Sequence, residues 1–182
     1  MFVDHTLESA PAASRRSLEA VTRSMGHLPS AAARLATSPH LLDGFLKLSA
    51  MFEQTTLDPI AREVVVMTVA ARNECHVCVA IHTTKLTGLG AGDDIVSALR
   101  EQRPLDDERL EAVRQFTLEV LRTAGGVGDE ELRAFLSHGY TEQNALEVVM
   151  GIGTYTMSTL ANRLTRAPLD TDLSRMINAE AS

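Results

Sequence analysis

The chain of 182 residues has no tryptophan, only two cysteines and two tyrosines, and six prolines. Two cysteines three positions apart cannot make a disulfide scaffold, which needs several spread along the sequence. Concentrated positive charge is also missing. The formal charge is −7 and Arg15-Arg16 is the one adjacent basic pair, so no nucleic-acid partner is expected. No segment reaches the roughly 18 apolar residues of a membrane span. The nearest, Val148 to Ala161, is short and carries Thr154, Thr156, Ser158 and Thr159. Met1 to Ser14 lacks both a basic start and an apolar stretch, so no secretion signal is expected and the expected address is cytoplasmic.

What is present is an ordinary globular balance, 45% hydrophobic and 23% charged, in a length suited to one domain. Apolar residues recur at a helical period almost throughout. Ser14 is expected to cap a first helix to about Met25, closed by Gly26, and Pro29 to open a short one through Leu35. Ser38-Pro39 and Asp58-Pro59 each read as a cap followed by proline at the first helical position. The run Val64 to Met67 is β-branched enough for a strand, but its length, its Asp-Pro start and its flanking alanines favour helix. Asn73-Glu74 breaks it. A new helix follows from about Cys75 to Thr87, then others over about 93–101, 106–123, 129–137 and 142–163. Asp106 and Thr141 are the expected N-caps, Thr141 without a full capping box because Asn144 stands where Glu or Gln usually does. There is no βαβ alternation and no repeat. The predicted fold is all-α, one helical domain over 14–166 between tails at 1–13 and 167–182, with the C-x-x-C at the N-terminus of a central helix.

The informative stretch runs from Glu63 to His82. On a helix turning about 100° and rising about 1.5 Å per residue, Cys75 and Cys78 lie about 60° apart and Cys78 and His82 about 40° apart. α-Carbons three apart are about 5 Å from each other, within disulfide range. The nucleophilic form is the thiolate. Exposed N–H groups at the helix start favour it at Cys75, whereas a histidine one turn on favours it at Cys78. If the chain reverses at Asn73, Glu63 and His82 come to the same height in a helical hairpin. A carboxylate there would orient the imidazole as in other base-activated nucleophiles. This reading gives a relay Glu63–His82–Cys78 with Cys75 as the resolving thiol, on a flank expected to be exposed.

Glu63, C-x-x-C and His82 at this spacing, between two helices of an all-helical chain, closely resemble the AhpD-like alkylhydroperoxidases of the carboxymuconolactone decarboxylase superfamily. The stretches from Met25 (M-G-H-L-P-S-A-A-A-R-L) and Ser38 (S-P-H-L-L-D-G-F-L) also resemble the lead-in of its peroxidase-related branch. The resemblance covers roughly residues 20 to 165 and implies a thiol-dependent hydroperoxide reductase. Cys78 would be the peroxidatic and Cys75 the resolving cysteine, with His82 and Glu63 as proton relay. It further implies a hydroperoxide substrate, a lipoyl-bearing or thioredoxin-like dithiol reductant, and a trimer or hexamer of identical chains; no cofactor or metal is expected. One departure stands out: the well-known members carry a second histidine between the cysteines, where this chain has Val77, and His76 points about 100° away. A carboxymuconolactone decarboxylase-like enzyme and a general protein-disulfide reductase are the alternatives. A zinc module on Cys75, Cys78 and His82 fits poorly, because such sites draw ligands from separate elements.

Overall fold

The computed structural model describes residues 2–170. The described residues form nine helices and no strand: α1 (Ala12–Met25), α2 (Ser30–Leu35), α3 (Pro39–Phe52), α4 (Pro59–Arg72), α5 (His76–Gly88), α6 (Asp93–Arg100), α7 (Glu108–Thr123), α8 (Asp129–Ser137) and α9 (Glu142–Thr165). Residues 171–182, most of the expected C-terminal tail, lie outside them.

The valine-rich run is helical because α4 is enclosed on every side. Val64, Val65, Met67, Val69 and Ala70 are each fully buried, and α4 packs against α5, α6, α7 and α9. A helix apolar all round belongs in a core rather than at a surface. Its start is fixed by Asp58, whose carboxylate accepts the N–H of Ala61 at 2.9 Å, with Pro59 in the first turn. Caps of this kind stabilise by about 1 kcal/mol.

Two expected helix starts differ from those observed, and a third, at Thr141, is capped more fully than expected. Helix α1 begins at Ala12 with Pro11 as its N-cap, and Ser14 sits inside the helix, where its buried hydroxyl donates to the carbonyl of Ala36 at 2.8 Å. A tertiary partner took that hydroxyl away from capping. Helix α7 is capped by Asp107, not Asp106, through the N–H of Leu110. The box at Thr141 is complete: the Asn144 side-chain carbonyl accepts the Thr141 N–H, and Thr141 accepts that of Asn144. An asparagine amide oxygen reaches the position a glutamate would use.

Helices α4 and α5 form the anticipated hairpin. Its turn passes through Glu74, which adopts a left-handed conformation (φ 51°), and the N–H of Cys75 closes back on the carbonyl of Ala70 at 3.0 Å. The turn is fastened to α9: Asn73 donates to Thr159 Oγ1 at 2.9 Å, and Arg163 binds the Asn73 carbonyl and the Glu74 carboxylate. Helix α9 itself approaches the core closely at Gly151, where a β-carbon would come within 2.6 Å of Phe52. These contacts bring residues far along the chain to the cysteines.

Candidate active site

The start of α5 is built around sulfur. Cys75 is its N-cap, and the Cys75 sulfur accepts the N–H of Cys78 at 3.4 Å, taking the role usually played by a serine or aspartate oxygen. Both cysteines are free thiols, with Sγ atoms 2.6 Å apart. Asn162, from α9, donates its amide N–H to Cys78 Sγ at 3.3 Å. One turn along α5, His82 Nδ1 lies 2.6 Å from Oε2 of Glu63 on α4. The other oxygen of that carboxylate, Oε1, is 2.7 Å from Lys85 Nζ, and Lys85 also binds Glu53. The ring of Tyr155 meets the His82 ring edge-on at 5.1 Å, and its hydroxyl pairs with Ser49.

All four residues singled out from the sequence thus converge on the α4–α5 hairpin, and Glu63 is no solvated surface charge: it is 1% exposed. The expected exposed flank is not observed. Cys75 and Cys78 are 1% and 3% exposed, and His82 is buried as well. Apolar neighbours account for this, since Ala31, Ala70, Val77 and Ala167 cluster with the two cysteines. Val77 spends its side chain in that packing, while His76 faces solvent. A surface cavity of about 500 Å³ lies elsewhere, between α7 and α8 against Phe116 and Phe135, and includes none of these groups. Among the described residues no cluster of three or more His, Cys, Asp or Glu side chains could hold a metal ion.

The electrostatics follow from these contacts. The hydrogen bond from Cys78 is the main reason the Cys75 thiol drops from 9.0 to about 7; burial opposes it, and the Cys78 N–H and Asn162 assist. Cys78 moves the opposite way, because of its hydrogen bond with Cys75, its burial, and the charge on Cys75. The two sulfurs therefore share one proton, and the first thiolate of the pair forms at lower pH than that of an isolated cysteine. Burial pushes the Glu63 carboxyl up, but the hydrogen bonds and charges of His82 and Lys85 outweigh it and hold the group below its ordinary value. Glu63 is an anion at neutral pH, available to orient the imidazole.

Sequence reasoning missed Lys85, Tyr155 and Asn162. Lys85 was detectable, being three residues after His82 on the same helical flank. Asn162 lies 84 residues beyond Cys78, and only its position on an uncharged stretch of α9 hinted at a buried role.

Nine helices among the described residues, with Cys75 capping the second arm of a central hairpin, are what known proteins can be compared with. Residues 39–119 match the carboxymuconolactone decarboxylase family. Among solved structures, the chain is similar to an AhpD-core, uncharacterized peroxidase-related protein from Ralstonia eutropha JMP134 (TM-score 0.81, 18% identity, covering 94% of this chain and 93% of that one). A peroxidase-related protein from Silicibacter sp. TM1040 gives a TM-score of 0.78 at 17% identity, covering 94% and 92%. The debrominase Bmp8 gives 0.73 at 15% identity, covering 92% and 91%. No curated protein sequence matches. The chain shares its overall fold with these structures, and its segment 39–119 is similar to the carboxymuconolactone decarboxylase family.

Proposed function

We propose that the protein is a thiol-dependent hydroperoxide reductase in which Cys78 attacks the peroxide, Cys75 resolves the product, and Glu63 and His82 relay the proton. The observation that carries this reading is the Glu63–His82 pair, 2.6 Å across, one turn from a cysteine whose sulfur is 2.6 Å from its partner's.

His82, oriented through Nδ1 by the Glu63 anion, takes the proton of Cys78. The Cys78 thiolate then attacks the terminal oxygen of the hydroperoxide, the O–O bond breaks, and the alkoxide leaves with the proton from His82. Cys78 is now a sulfenic acid. The Cys75 thiolate attacks its sulfur, the S–O bond breaks, and hydroxide leaves as water after protonation. Two electrons pass from the two thiolates to the peroxide, and one disulfide remains. An external dithiol regenerates the pair by exchange.

Burial of both sulfurs favours this reading over a general protein-disulfide reductase. A hydroperoxide is small, and a slim dithiol such as a lipoyl arm needs far less opening than a disulfide carried on another protein's surface. A decarboxylase-like activity needs no sulfur pair. Turnover of tert-butyl hydroperoxide with dihydrolipoamide is the test: consumption well above the protein-free rate, abolished in Cys78→Ser, is expected. Dithiol consumption no faster than without protein, with several peroxides, would refute the reading. Full activity of Cys78→Ser on a lactone or keto-acid substrate would favour the decarboxylase alternative.

We also infer a homo-oligomer. Leu146, Val149, Leu160 and Leu164 stand exposed along one stripe of α9, with Leu146 and Leu164 more than 70% exposed. Spacing of three, then eleven, then four residues keeps them on one side of a helix, and such an apolar stripe fits a subunit contact.

A further inference from the structure

The Asn162 side chain combines two features. It is 5% exposed, and while its amide nitrogen donates to Cys78 Sγ, its carbonyl oxygen Oδ1 is buried with no hydrogen-bond partner among the described residues. Buried amide oxygens are normally satisfied, and leaving one unpaired costs about 1–3 kcal/mol. The two ends of a carboxamide are held side by side in one plane, so an oxygen bound to Cys78 Sγ would lie within reach of both. Ser158, one turn earlier on α9, is buried as well. The side chain is placed by the packing of α9: the Asn162 backbone carbonyl ties down Ala167 at 2.9 Å, and Arg163 beside it anchors the α4–α5 turn.

We propose that Asn162 is a catalytic residue of this site. Its N–H stabilises negative charge on the Cys78 sulfur, and its unpaired carbonyl accepts the O–H of the hydroperoxide and then of the Cys78 sulfenic acid. This rests on the thiol-peroxidase reading, and it supplies what that reading lacks. A donor aimed at Cys78 lowers the cost of placing negative charge on the sulfur that must react. The carbonyl aligns the peroxide terminal oxygen for attack by taking its proton as a hydrogen-bond donor. Once the S–O bond has formed, the same contact holds the hydroxyl aside, leaving the sulfur open to Cys75. No atom of Asn162 is consumed.

The test separates the two halves. In Cys75→Ser protein, the pH profile of Cys78 alkylation by iodoacetamide reports the thiolate without any peroxide. Asn162→Ala is expected to move its midpoint up by about one pH unit, making alkylation about tenfold slower near neutral pH. Asn162→Asp, which keeps the shape but replaces the donor with a charge, is expected to slow it further. Trapping with dimedone after one equivalent of hydroperoxide is expected to show a sulfenic acid several-fold shorter-lived in Asn162→Ala. Helical circular dichroism and melting confirm that each variant is folded, and should Asn162→Ala not fold, Asn162→Ser provides the same comparison. An alkylation profile unchanged by every substitution overturns the proposal, whatever the peroxide result. A shifted profile in protein whose thiols no peroxide oxidises sinks the peroxidase reading and with it the carbonyl half, and leaves the donor half supported.

Discussion

Glu63 and His82 sit nineteen residues apart in sequence and 2.6 Å apart in space, joined Oε2 to Nδ1 inside the hairpin of α4 and α5. Lys85 completes the carboxylate's second oxygen at 2.7 Å. A buried anion fully used on both oxygens is both a structural and a chemical element, and substitution distinguishes the two roles. Glu63→Gln keeps shape and can still accept from Nδ1, but its neutral amide orients and charges the imidazole less well; turnover is expected to fall about 10- to 100-fold with the fold intact. Glu63→Ala strands a buried imidazole and a half-buried ammonium and is expected to cost about 3 kcal/mol in denaturant unfolding.

The same carboxylate gives the protein an acid limit. Its folded pKa lies below its ordinary 4.5, so its contribution to stability is fully present above that value and is lost as pH falls through the folded one. Melting temperature is therefore expected to drop as pH is lowered below about 4.5 in the native protein, and to drop less in Glu63→Gln. Parallel melting curves at several acidic pH values check this.

The thiol pair should titrate unlike a free cysteine. One thiolate is expected to appear with a midpoint near pH 7, against an ordinary 9.0, because the Cys78 proton is shared with Cys75. Cys78→Ala removes the largest cause of that shift, so the midpoint should climb back toward 9.0. Thiolate ultraviolet absorbance across pH reads both.

Packing of α9 places Asn162 against Cys78 Sγ, and about three turns earlier Gly151 lies close against Phe52 and Val65. A methyl group there would meet two Phe52 ring atoms at 2.6 and 2.7 Å and Val65 at 3.0 Å. Gly151→Ala is expected to destabilise by about 1–3 kcal/mol through overpacking, despite alanine's better helix propensity. Chemical denaturation measures it.

The helices, the hairpin and the convergence of four site residues were legible because each rests on local patterns: proline at helix starts, a period near 3.6, and Cys-to-His spacing within one helix. Ser14 and Asp106 misled because a tertiary hydroxyl contact and a neighbouring aspartate decided the caps. Burial of the cysteines was not legible, since the residues that cover them come from α2, α4 and the segment after α9. Asn162 escaped for the same reason: spacing along one helix carries no information about a side chain delivered from another.

The exposed stripe on α9 carries the oligomer inference to a direct check. Leu164→Glu places a charge where a partner helix would pack, at a position 71% exposed in the single chain. Sedimentation at micromolar concentration is expected to show an assembly for the native chain and a shift toward monomer for the variant. A native chain that sediments as a clean monomer rules the contact out.

If Cys78 takes oxygen from a hydroperoxide and Cys75 closes the cycle, mass-resolved thiol alkylation before and after one equivalent of hydroperoxide reads both steps at once. The native chain is expected to lose both thiols as one intrachain disulfide, Cys78→Ser to keep its remaining thiol, and Cys75→Ser to trap a sulfenic or over-oxidised Cys78. Native protein whose two thiols both stay free after peroxide would contradict this cycle.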